Sequence, residues 1–260
     1  MVNFSFSYTD LEYFLLIFVR ISMFISIAPF FSLQGVTRQV KVGLSFFMAI
    51  LIFPVTQPYE VLEYNTIIGY AMIIAKEALT GLFLGFSVSI CSGIITFAGR
   101  IMDMETGLSM ANLMDPTTKE NSSISGVLYQ QLIMLLLIIS GMHRYLLQAL
   151  AETFTLIPVN GAIFNTDALL SSMLTFMTDY ITIGFRICLP IFAVMLLLNA
   201  VLGVMAKVSP QMNMFAVGIQ LKVLVGLCVL FFTTGMLPGI ADFIYTEMRR
   251  MMVMFVESMM

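Results

Sequence analysis

An all-α membrane protein is the fold class this sequence predicts, and three observations predict it. Hydrophobic residues fill 60% of the 260 positions and charged residues only 10%, where soluble domains carry about 25% charged residues. The apolar residues gather into about six long runs, each on the scale of the about 20 residues a helix needs to cross the hydrocarbon core. The connections between runs hold most of the polar residues. A soluble fold this apolar would expose extended greasy patches, whereas lipid or partner helices remove that cost. The formal net charge of -3 comes without a basic cluster, so nucleic-acid binding has no electrostatic footprint.

The runs fall at about 11–33, 42–57, 66–98, 125–150, 173–206 and 214–240. The opening stretch, MVNFSFSYTDLEY, carries two acids and no basic region, so it lacks the form of a cleavable signal and is expected to stay in the mature chain. The second run contains Pro54 and is short for a span. The third would measure near 50 Å at about 1.5 Å per residue, longer than the bilayer core is thick. Such unequal rods predict helical hairpins in a single polytopic domain, 1–260, part of which projects beyond the bilayer and is covered by other protein. Arg38, Lys41, Arg100, Lys119 and Lys207 favour a cytoplasmic side for the odd-numbered connections, with Arg144, Arg249 and Arg250 against. The last twenty residues, about 241–260, place Asp242, Thr246, Arg249, Arg250 and Glu257 at helical spacing, with Met and Phe on the other side. That pattern predicts an amphipathic helix lying at an interface or against a partner.

Small residues recur every fourth position along the third run: Gly81, Gly85, Ser89 and Gly93, in line with Glu77. Residues four apart share a helix face, and small ones admit a second backbone, either from this chain or from another subunit. Arg20, Lys76, Glu77, Arg186 and Lys222 lie inside apolar runs. A charge at the bilayer centre costs about 2.5–3.5 kcal/mol on insertion scales, so these five are expected to be buried and paired, or to serve a relay. Glu77 is the one acid well inside a run, which disfavours proton pumping by this chain alone.

The connection at about 99–126 is rich in Ser and Thr yet also in Met and Leu. It cannot lie naked in lipid, and its flexible methionines suit an irregular gap that must open and close. It is either a pore plug or a folded-back loop. Pro210 should break the helix before it, with Gln211, Asn213 and Gln220 supplying polar groups at the break. Cys91, Cys188 and Cys228 sit far apart in apolar stretches, and His143 has no Cys or His neighbour. They read as inert thiols and a lone imidazole, with no metal site and no cofactor expected. Nucleophile elbow, phosphate loop and HExxH motifs are all missing from the sequence, so no enzyme is expected. A stand-alone small-molecule permease would need a polar midplane site and, often, inverted repeats; the sequence offers neither.

Three places resemble the FliR family of flagellar export-gate proteins, whose virulence counterparts serve injectisomes. They are Pro29, Phe30 and Phe31 ahead of Gly35, Val36 and Arg38; the loop with Gly107, Leu108, Ser109, Met110, Leu113, Met114, Asp115 and Pro116; and the string Lys207, Pro210, Gln211, Asn213, Gly218 and Leu221. The resemblance implies a non-enzymatic structural and gating subunit of a type III export gate. It implies assembly with FliP- and FliQ-like subunits, an FlhB-like protein at the cytoplasmic mouth, and unfolded exported proteins in transit. It further implies the bacterial inner membrane and flagellar basal body as location, contact with membrane lipid, and a gate core standing toward the periplasm. Residues 107–123 would then form the plug.

Overall fold

The computed structural model describes residues 7–32, 35–56, 64, 66–109, 123–209, 211 and 214–260. Those residues are helical and contain no strand, as the composition predicts for an all-α membrane protein. The helices are α1 (Tyr8–Ile27), α2 (Arg38–Ile52), α3 (Ile67–Thr106), α4 (Ile124–Ile139), α5 (Met142–Leu156), α6 (Thr166–Val208), α7 (Met214–Thr233) and α8 (Leu237–Glu257). By length and composition, four stretches can cross a membrane: Arg38–Thr56, Ile67–Thr106, Thr166–Val208 and Ala216–Glu257. Counting α4 and α5 as one broken span makes five.

Local chemistry explains where the elements start and stop. Ser7 opens α1, its backbone N–H donating to the Asp10 carboxylate at 2.7 Å, a first-turn arrangement that satisfies a free helix-end donor. Pro54 falls in a 3-10 turn, Phe53–Thr56, that finishes α2. The run at 125–150, expected as one helix, is two. Gly141 takes a left-handed φ of 79° between α4 and α5, a conformation that interrupts α-helical bonding and that glycine adopts without steric cost. The run at 66–98 extends to Thr106, and the fifth run starts earlier, at Thr166. Pro190 lies inside α6. The amphipathic C-terminal segment begins at Leu237, separated from α7 by the 3-10 turn Thr234–Met236. Pro238 fits there because a first-turn residue has no intrahelical N–H bond to lose.

The chain groups into two compact units. Unit 1 holds Met1–Ile90, Gly141–Phe176 and Thr246–Met260; unit 2 holds Cys91–Ser140 and Met177–Tyr245. In unit 1, α1 and α2 pair through edge-on contacts of Phe14 with Phe46 and Phe53, and of Phe18 with Phe46. Leu16, Ile17, Ile21, Phe24 and Leu84 are fully buried. Backbone N–H groups of Ile163 and Asn165 donate to Met259 and Ser258 carbonyls at 2.8 and 3.3 Å, tying the chain end into this unit. In unit 2, Ile94, Met102, Ile133, Ile191 and Ile244 form a buried apolar centre.

Candidate functional site

Unit 1 is organised around one ion pair. Arg20 on α1 and Glu77 on α3 are both fully buried. The guanidinium donates Nε to Glu77 Oε2 at 2.6 Å and an Nη to Oε1 at 3.0 Å, a two-pronged contact that is among the strongest hydrogen-bonded arrangements. Its remaining donors reach the Ile157 carbonyl at 2.8 Å and the Pro158 carbonyl at 3.4 Å. Phe154 covers its face at 4.4 Å. Glu77 also accepts the Asn160 backbone N–H at 2.8 Å, while Lys76 Nζ donates to the Asn160 carbonyl at 2.7 Å. Asn160 holds φ at 66°, a region asparagine enters more readily than most residues. The turn after α5 is thus clasped by neighbouring residues of α3. A buried charge is tolerable when its partner is present and its spare donors find acceptors, and here four of the five guanidinium N–H groups do.

The close approach of α1 to α3 depends on two glycines of the four-residue stripe. A Cβ on Gly81 would lie 2.2 Å from the Arg20 carbonyl oxygen, and one on Gly85 would lie 3.0 Å from that of Phe24. Their packing is therefore within this chain. Gly93 behaves differently: its added Cβ would meet only the Tyr180 ring at 3.5 Å, while the Tyr180 hydroxyl donates to the Gly93 carbonyl at 3.0 Å. Ser89 is half-buried.

Of the five charges expected to be buried, Arg186 is exposed, and Lys76 and Lys222 are half-buried. For Arg186 the structure therefore contradicts burial, while Lys76 and Lys222 are only partly covered. Near the chain's start, the Tyr64 hydroxyl donates to the Glu12 carboxylate. That hydrogen bond pushes Tyr64 up to about 12 from its ordinary 10.

Unit 2 carries the connection between α3 and α4 on a tightly pinned neck. Gly99 of α3 meets Gly126 of α4 so closely that a Cβ on Gly99 would lie 2.1 Å from the Gly126 Cα. One turn further along α3, the buried Asp103 carboxylate accepts the Ser125 backbone N–H at 3.1 and 3.4 Å. The Ser123 hydroxyl caps α4 by accepting the Gly126 N–H at 2.8 Å. A carboxylate and a hydroxyl together satisfy two of the otherwise free donors of this helix start. Gly107 then ends α3 with φ at 81°. Leu108 and Ser109 are half-buried, whereas Met110, Leu113, Met114, Asp115 and Pro116 lie outside the described residues.

The sequence alone missed this neck. Gly99 is off the four-residue stripe, and the only hint was that small residues flank both sides of the connection. Among the family-motif residues, Lys207 is exposed in the last turn of α6, Gln211 is exposed in a turn, and Gly218 is buried in α7; Pro210 and Asn213 lie outside the described residues. Two of the three thiols, Cys91 and Cys188, are buried and Cys228 is exposed, all unbridged. Among the described residues, no group of His, Cys, Asp and Glu side chains could hold a metal ion.

These features define a helical membrane protein whose apolar rods are fastened by a buried ion pair in one unit and by a glycine-packed loop neck in the other. The family model of bacterial export proteins, family 1, matches residues 11–248, and the chain belongs to that family. It is 30% identical to flagellar biosynthetic protein FliR of Bacillus subtilis, over 84% of this chain and 84% of that protein. It is 28% identical to FliR of Escherichia coli over 86% and 84%, and 31% identical to FliR of Aquifex aeolicus over 83% of each.

Proposed function

We propose that this chain is a structural and gating subunit of the type III protein export gate of the bacterial flagellum. It assembles with FliP- and FliQ-like subunits into a channel for unfolded flagellar proteins, with an FlhB-like protein at the cytoplasmic mouth, in the inner membrane at the basal body. The loop 107–123 seals that channel when no substrate is in transit. The observation that carries the reading is the neck: Gly99 against Gly126 and Asp103 on the Ser125 N–H fix both ends of one connection. A seal needs fixed ends and a deformable middle, and methionine supplies the deformability.

The flagellar machine is favoured over a virulence injectisome because the three relatives described above all carry a flagellar name. Large exposed apolar side chains, among them Phe47, Leu197, Phe231 and Phe232, suit a chain covered by lipid and neighbouring helices. Co-expression of the tagged chain with FliP- and FliQ-like subunits tests the assembly. The expected outcome is recovery of one stable complex and poor recovery of the tagged chain alone. A solitary, monodisperse chain that transports a small solute in vesicles would contradict it.

A further inference from the structure

We infer that a cleft in unit 2 receives a helix from a neighbouring subunit, and that an Asp or Glu on that helix pairs with Arg186. The inference rests on the reading of this chain as a gate subunit and gives one contact of that assembly a chemistry. The cleft, of about 250 Å³, lies between α6, the α7–α8 junction and α4. Ile183, Ile187 and Pro190 form its α6 wall, and Ile240 and Phe243 line it from α8. The hydroxyls of Tyr129 and Thr233 also line it but are hydrogen-bonded to each other. Arg186 is the one charged residue in the lining. It is exposed, and no hydrogen bond or ion pair joins it to any described residue.

The surroundings of Arg186 select the occupant. Exposed apolar side chains stand on both sides of it along α6, Ile181 and Phe185 before it and Leu189, Phe192 and Leu196 after. These five recur at three- and four-residue spacing, the kind of stripe that one helix offers another. Water would suit the guanidinium but leave the apolar stripe uncovered. Hydrocarbon would suit the stripe but leave a full charge in its midst with no counterion. A helix with an apolar face and one carboxylate satisfies both, because arginine and a carboxylate meet through two parallel N–H···O bonds. Two local features agree with it. Pro190 has no N–H to give the Arg186 carbonyl four residues back. That level of α6 therefore also presents a backbone acceptor, which an acyl chain cannot answer. A Cβ on Gly239, in the cleft lining, would meet nothing within 4 Å, which leaves room for a second backbone to approach.

The test replaces Phe243 with a photoactivatable phenylalanine analogue in the full chain, in its native membrane, and identifies the adduct by sequencing its peptides. The expected product joins position 243 to an apolar helix with an Asp or Glu within one turn of the attachment point. Its yield should fall about tenfold in Arg186→Gln, the loss of a charge-assisted contact, and largely persist in Arg186→Lys. Arg186→Glu should abolish the adduct, and replacing the captured acid with Arg should restore it, a rescue that misfolding of either variant could not produce. Adducts with lipid alone, or with a helix that has no acid there, would overturn the inference. So would an undiminished adduct in Arg186→Gln at unchanged helical content. The identity of the captured subunit tests the gate reading separately. An acidic helix from a protein outside the export machinery would contradict the gate while leaving the pairing in place. A complex with FliP- and FliQ-like subunits that yields no such adduct would keep the gate and overturn the pairing.

Discussion

The two units solve one problem, holding long apolar helices in register, with opposite chemistry. Unit 1 uses full charges: Arg20 and Glu77 satisfy each other and then clasp the Ile157–Asn160 turn. Around the loop neck of unit 2, backbone contact and a carboxylate bonded to an amide take that role, with no cation among the described partners of Asp103. A buried ion pair is intolerant of partial loss, because one missing partner strands the other charge. Contacts between glycines and a helix cap are weaker one by one. The difference predicts that losing one partner costs more at the clasp of unit 1 than at the neck of unit 2.

The largest expected effect comes from breaking the clasp. Glu77→Ala leaves Arg20 buried and unpaired, which costs about 3–5 kcal/mol, and thermal unfolding followed by circular dichroism should show a collapse in stability or yield. The double variant Arg20→Met, Glu77→Leu should recover much of that loss, since apolar replacement of a whole buried pair is often neutral. A double variant as impaired as Glu77→Ala would show that the pair does more than fasten helices.

Next in size are the glycines, which the sequence treats as one stripe and the structure does not. Gly81→Ala and Gly99→Ala each force a Cβ onto backbone atoms little more than 2 Å away, and overpacking of this kind costs about 1–3 kcal/mol. Gly93→Ala meets only ordinary contact with Tyr180. It should be neutral or gain up to about 1 kcal/mol, because alanine favours a helix over glycine. Unfolding midpoints in one detergent separate these outcomes. Equal losses at all three would dissolve the distinction between the stripe and the neck.

Much of the fold was legible because the bilayer ruler and apolar runs act locally: the long third and fifth runs are α3 and α6. The break at Gly141 was not read from the sequence, although Ser140, His143 and Arg144 interrupt the apolar run there; the left-handed φ of Gly141 reveals the turn. Glu77 stood out as a lone acid, but its bond to Arg20 spans 57 positions, a pairing that spacing alone does not supply. Arg186 looked the same as Arg20 in sequence, each one cation in an apolar run. The fold then buries one and leaves the other at a groove rim. The neck escaped for the same reason, since Gly99 and Gly126 become informative only once α3 and α4 are seen side by side.

Ion conductance of the assembled, reconstituted complex tests the central claim most directly, comparing the intact chain with one lacking residues 110–122 but retaining Gly99, Asp103, Ser123 and Gly126. With the neck kept and the loop gone, the complex should still assemble and its resting leak should rise well above that of the intact complex. An assembled complex whose leak is unchanged would contradict the account, because the tethered loop would then seal nothing.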